Sequence, residues 1–202
     1  MTSIAQERWP AVPEAGAAEV AVAEEERLGR VAIGRLGLWL FIGSESMLFF
    51  AMVAARFYLL GTTRPPSVNL GLGIALTLDL LVSSVLGYRA LAALKRDDRS
   101  GFQRRLLGAI ALGAAFLVGV AMEWSSARFG PGTAYGTVFF TTTGLHVAHL
   151  ASGLVVLLLV WRLARRGAFS AHDYWGARAA LTYWTFVDAM WVLLVFPALY
   201  LV

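Results

Sequence analysis

The sequence predicts an all-α integral membrane bundle of five transmembrane helices, and three observations carry that prediction. Five largely apolar stretches of about 20 residues or more recur along the 202 residues, each long enough for a helix to cross ~30 Å of hydrocarbon. Apolar types make up 58% of the chain and mean hydropathy is +0.67, against roughly 45–50% apolar residues in an ordinary globular chain. The basic residues follow topology instead of forming one patch. Runs such as 106–121 and 147–160 carry no charged residue at all, so they offer no polar helix face to water.

Residues 1–34 precede the first span. They hold Pro10, Pro13 and the Glu24-Glu25-Glu26 run, and six glutamates with no apolar core fit neither a secretory signal nor an Arg-rich transit peptide. A flexible, polar, cytoplasmic N-terminal segment is expected there. The spans are expected at 35–60, 69–94, 104–124, 134–163 and 179–202. Between the first two, Pro65-Pro66 marks a turn, and Gly130-Pro131-Gly132 marks another before the fourth; proline fixes φ and lacks a donor, while glycine tolerates positive φ.

Orientation follows from the positive-inside rule. Twelve basic residues flank one side: Arg27, Arg30 and Arg35 before span one, five between Lys95 and Arg105, and four between Arg162 and Arg178. The opposite connections hold only Arg64 and Arg128. The N-terminus is therefore expected in the cytoplasm and the C-terminus outside, in a multi-pass protein of the bacterial cytoplasmic (inner) membrane. Tyr58, Trp124, Tyr135, Trp161 and Tyr200 lie near span ends, as interfacial aromatic belts require.

Ionisable residues interrupt these spans. A charge at bilayer depth costs roughly 2.5–3.5 kcal/mol on insertion scales and is retained where a partner or a function holds it. Glu45 and Asp79 lie ten residues into spans one and two, Asp188 nine into span five, and His146 and His149 twelve and fifteen into span four. These five are expected near the midplane as a buried polar layer, with Glu123 at the outer end of span three. Hydrogen bonding between helices is the first reading of that layer, and a proton relay the sharper alternative. Small residues crowd spans three and four, among them Gly108, Gly113 and Gly119 in the one and Gly144, Ala148 and Gly153 in the other, as expected of close helix packing in lipid. Arg56 and Arg89, near the ends of spans one and two, can snorkel to head groups.

The chemistry expected of the chain itself is narrow. Cysteine is absent, which excludes disulfides, thiolate metal sites and iron–sulfur ligation. His146 and His149 sit one turn apart on one helix, so they cannot approach a haem iron from opposite sides. No Glu-x-x-His motif of the di-iron bundles, Gly-x-Ser-x-Gly elbow or phosphate loop occurs. No catalytic, cofactor-binding or metal-binding residue is expected, and the topological placement of the basic residues argues against nucleic acid as a partner.

Several segments, in order, resemble subunit III of the haem–copper cytochrome c oxidases. The run from Leu38 to Phe50 places Trp39-Leu40-Phe41, Ser44-Glu45 and Phe49-Phe50 in one helix; Leu80 to Ser84, Asp98-Arg99 and Gly119 to Trp124 follow. Phe139-Phe140 with Thr143-Gly144-Leu145-His146-Val147-Ala148-His149 is similar to the family's Phe-Phe…Thr-Gly-x-His-x-x-His pattern, and Tyr183-Trp184-Thr185-Phe186-Val187-Asp188-Ala189-Met190-Trp191 to its Tyr-Trp-His-Phe-Val-Asp-x-x-Trp. The chain looks like the short five-helix bacterial form, which lacks the first two of seven helices. It departs from the pattern at Val120 (often Gln), Arg178 (often Glu), Thr185 (often His) and Asp79 (usually apolar).

The resemblance implies a subunit without redox centres, packed on subunit I and accompanied by subunit II. Haem and copper would lie in those partners, and cytochrome c would be the electron donor to a complex that reduces oxygen and pumps protons. It also implies membrane phospholipids held between helices, support for proton uptake, and room for a larger supercomplex. Glu45, Glu123, His146, His149 and Asp188 carry over as polar positions of the bundle, with a structural, lipid- or proton-environment role; Asp79 is expected to pair with His146 or His149. Arg35, Arg89 and Arg99 are candidates for lipid head-group phosphates. A quinol oxidase or nitric-oxide-reductase-associated relative, and a self-standing proton-coupled transporter, are the alternatives.

Overall fold

A computed structural model describes residues 15–62 and 68–201. The chain divides into two compact units, Met1–Gly37 and Leu38–Val202. Five α-helices follow one another: α1 (Ala15–Leu60), α2 (Leu70–Leu94), α3 (Arg99–Ser126), α4 (Ala134–Arg165) and α5 (Trp175–Met190), the last continued by π-helical segments Trp191–Val195 and Pro197–Leu201. Among the described residues there are five helical stretches long and apolar enough to cross a membrane, and no strand.

The segment expected to be polar and flexible at 1–34 falls in the first unit, and its described part is helical. Residues 1–14 lie outside the described residues, but the helix is already formed at Ala15. Alanine dominates its first turns, and alanine is the strongest helix former. Glu26 and Arg30 form an i,i+4 pair at 3.7 Å with glutamate on the N-terminal side, the favourable order. Arg35 belongs to this unit and is exposed.

In the second unit the helix ends are set by side-chain chemistry, which moves two starts upstream of expectation. α3 starts at Arg99 rather than 104 because Asp98 caps it: its Oδ1 accepts from the Gly101 amide at 2.7 Å. The turn before it closes with the amide of Asp98 on Ala93 O and that of Asp97 on Leu94 O, both 3.0 Å, a Schellman arrangement in which Asp97 takes φ 58°. The same closure ends α4, with Gly167 at φ 78°. α5 starts at Trp175 rather than 179, so Arg178 lies in its first turn.

The amides and hydroxyl at the α3 N-terminus hold the Asp98 carboxyl below the usual carboxylate range. Gly101 N–H is the largest cause, with Ser100 and Arg105 adding to it. A carboxyl with a depressed folded pKa stabilises the fold above its unfolded pKa, and loses that contribution as pH falls through the folded value. The amide protection of Gly101 is therefore expected to fall on acidification below the ordinary aspartate range. Hydrogen exchange should show that fall in the wild type and a flat profile in Asp98→Asn, which caps without titrating; a fall of equal size in both would contradict it.

Trp184 of α5 and Trp191 just beyond its end are both fully buried in the interior. Trp184 is 1% exposed and lies between two glycines. A Cβ on Gly113 of α3 would come within 2.5 Å of its ring, and one on Gly153 of α4 within 3.0 Å. The small residues thus serve a particular indole in addition to general close packing. Leu80, Leu106, Phe116, Leu150 and Trp191 belong to the same core cluster and are all fully buried. The outward surface is apolar: Met47 is 73% exposed, Leu40 66% and Leu193 67%, a composition suited to lipid and unsuited to water.

Candidate functional site: polar pairs inside the bundle

The ionisable residues of the spans do not join into one layer. Glu45, Asp188 and Glu123 each bind a partner on another element, while His146 and Asp79 stand outside these contacts. Glu45 of α1 and His149 of α4 meet at 2.7 Å between Oε2 and Nε2. The other ring nitrogen of His149 lies 2.7 Å from Leu145 O. A carbonyl only accepts, so Nδ1 carries a hydrogen. The contact with Glu45 therefore shares one further proton: imidazolium against carboxylate, or imidazole against carboxylic acid. Either form is neutral overall, which is what a low-dielectric setting demands. Their side chains are 13% and 20% exposed.

His146, one turn earlier, is fully buried and differently treated. Phe49, Phe116 and Trp191 surround it with ring centroids at 6.2, 5.6 and 5.0 Å, and neither ring nitrogen has a hydrogen-bond partner. The expected pairing of Asp79 with a histidine is not formed. Both nitrogens of His149 are taken, those of His146 have no partner, and Asp79 Oδ2 has none either. Asp79 lies partly exposed on α2, on a different helix pairing from the Glu45 contact.

Asp188 is bound from α2 instead. Its Oδ2 accepts from Ser84 Oγ at 2.5 Å, and its Oδ1 is buried without a partner. This bond belongs to a set joining two antiparallel helical segments. Trp184 Nε1 donates to Ser83 at 3.0 Å and Trp191 Nε1 to Thr77 at 3.0 Å, so between the two tryptophans the number of the partner on α2 falls as the number of the indole rises. Ser83 passes the connection on, donating to Ala109 O of α3 at 3.1 Å. The motif containing Ser83, Ser84, Trp184 and Trp191 was visible in the sequence; the facing hydroxyls on α2 are the signal for this set. Glu123, 5% exposed, accepts from Tyr200 OH at 2.5 Å. Tyr200 was read as an interfacial residue, yet it is fully buried, and Gly73 admits it: a Cβ there would come within 2.5 Å of its ring.

Arg56 also departs from expectation. It does not snorkel. It is fully buried, with Nε donating to Ala198 O at 2.6 Å and Nη1 donating to Gly61 O. Gly61 closes α1 at φ 60°, and Ala198 follows Pro197, whose missing N–H interrupts the terminal helix. Ahead of that proline the Phe196 amide bonds Trp191 O, five residues back, which is the π-helical spacing. A guanidinium that meets backbone carbonyls at the C-terminal end of α1 and in the last helical segment is electrostatically favoured. Arg89 is exposed on α2, and Arg99 is exposed beside Asp97 at 3.5 Å. Among the described residues no group of three or more metal-ligating side chains converges.

The family model described as cytochrome c oxidase subunit III matches residues 27–201. A relative from Thermostichus vulcanus named cytochrome c oxidase subunit 3 is 34% identical over 173 residues, covering 82% of this chain and 86% of that protein. One of the same name from Synechocystis sp. is 30% identical over 175 residues, covering 82% and 75%. A third, from Corynebacterium diphtheriae, is 29% identical over 192 residues, covering 87% and 90%.

Proposed function

The chain belongs to the cytochrome c oxidase subunit III family, and from that membership we propose how it serves its complex. It is a multi-pass subunit III of a haem–copper oxidase of the respiratory chain, an oxidoreductase at the level of the assembly. Our reading places it in the bacterial inner membrane with its N-terminus in the cytoplasm, docked on subunit I near subunit II. Those partners hold the haem and copper and take electrons from cytochrome c. The chain contributes packing, retained phospholipid and a polar environment that supports proton uptake by subunit I.

The observation that carries this reading is the closed Glu45–His149 contact. The proton between Oε2 and Nε2 is shared within a pair that is neutral overall, and the neighbouring His146 is walled by three aromatic rings. Both ring nitrogens of His149 are engaged within the bundle. Polar groups that satisfy each other between helices fix a bundle, whereas a self-standing conduit needs them strung along a wet path.

The test is the whole oxidase purified with Glu45→Gln. The optical haem spectrum per subunit I is expected to be unchanged, while less of the chain copurifies or turnover decays sooner. Loss of haem from an otherwise assembled complex would contradict a role confined to packing and environment.

A further inference from the structure

Between α1, α2 and α5 lies a groove of about 510 Å³ whose lining separates into two chemical halves. One end carries Lys95 and Arg178; the remainder is walled largely by apolar side chains, including Trp39, Ile42, Leu91 and Ala189. No acidic side chain lines it. Lys95 immediately follows the last residue of α2 and Arg178 lies in the first turn of α5, so both cations sit at the same membrane face. Lys95 rests its ammonium 6.0 Å from the Tyr174 ring. The Thr185 hydroxyl, further in, is already spent on Leu181 O at 2.9 Å and needs nothing from an occupant.

The dimensions select the occupant. From Arg178 to Ala189 the lining of α5 advances about 16 Å at 1.5 Å per residue, which is the depth of one leaflet, half of the ~30 Å hydrocarbon thickness. An apolar trough one leaflet deep, topped by two cations with no acid to neutralise them, is complementary to a single amphiphile with an anionic head. Basic pockets between transmembrane helices bind anionic head groups by this charge match. A free phosphate would leave the trough unfilled, and a zwitterionic lipid brings a cation of its own toward two cations that no acidic lining residue offsets.

We propose that this groove is a binding site for one anionic phospholipid, its phosphate on Lys95 and Arg178 and an acyl chain along Ile42, Leu181 and Ala189. The site rests on the reading that the chain retains lipid and gives it a place and a head-group class. Arg178 is among the positions where the chain departs from its family pattern, so the charge preference is a property of this sequence.

The test uses the intact oxidase, delipidated in detergent, re-equilibrated with an equimolar mixture of phosphatidylglycerol and phosphatidylcholine, and repurified. Bound lipid is then counted by head group with mass spectrometry. Wild type is expected to hold phosphatidylglycerol in preference, and Lys95→Gln with Arg178→Gln to lose about fivefold of that preference for each cation removed. Lys95→Arg should retain it. Ala189→Trp, which fills the trough, should expel the lipid while both cations remain. Inorganic phosphate should not displace it, and efficient displacement would overturn the lipid assignment. A preference untouched by the double variant would overturn the site while leaving lipid retention standing elsewhere on the chain. A wild-type complex that holds no lipid at all would remove both this site and the retention reading.

Discussion

His149→Leu should destabilise the chain more than Glu45→Leu, and the double replacement should be milder than His149→Leu alone. Without the imidazole, the Glu45 carboxyl at bilayer depth has lost its 2.7 Å partner, and breaking a buried pair so that one charged group is stranded costs about 3–5 kcal/mol. The converse change is cheaper. His149 keeps its bond to Leu145 O, so Glu45→Leu leaves one ring nitrogen unpartnered at about 1–3 kcal/mol. With leucine at both positions no polar group is stranded, and replacing a buried pair by apolar side chains is often close to neutral. The thermal midpoint at which the chain leaves the purified oxidase measures all three. Additive losses, with the double variant worst, would show that the two side chains do not form a unit.

The five crossings were legible because each apolar run is long enough to leave one physical choice. The helix starts were less so, and the reason is local. The charged stretch before residue 104 reads as loop by hydropathy, yet Asp98 supplies a cap and Arg104 and Arg105 are good helix formers. The residues before 35 misled in the same way, since their charge concealed strong helix propensity. For the site, depth along the spans could be counted, which grouped Glu45, Asp79, His146, His149 and Asp188. What counting cannot supply is azimuth. Glu45 could not be matched to His149 in preference to Asp79, because rotation about each helix axis is set by packing between helices. Glu123 and Tyr200 are 77 residues apart, and nothing local in either segment announces the other. Arg56 was misread because a cation near a span end has two outlets, head groups or exposed carbonyls, and only the fold shows that Gly61 O and Ala198 O lie within its reach.

The second large effect concerns the aromatic wedge at the centre of the bundle. Gly113→Leu should lower stability by about 3 kcal/mol. The first added carbon alone would stand 2.5 and 2.8 Å from two atoms of the Trp184 ring. The ring cannot simply retreat: a Cβ built on Gly153 would already lie 3.0 Å from its far side, and Nε1 is tied to Ser83 at 3.0 Å. Overpacking of this kind costs about 1–3 kcal/mol, and displacing the indole gives up a buried hydrogen bond worth about 1 kcal/mol more. Gly43→Leu is the control. No atom lies within 4 Å of a Cβ built there, so it should be neutral or mildly stabilising through helix propensity. The decisive comparison is Gly113→Leu combined with Trp184→Leu, which removes the obstructing ring. If the clash with that indole is the cause, the pair should recover much of the stability lost in Gly113→Leu, read as the yield of chain in the purified oxidase and its thermal midpoint. If the pair falls as far as the two single losses added together, the glycine is needed for something other than admitting the tryptophan.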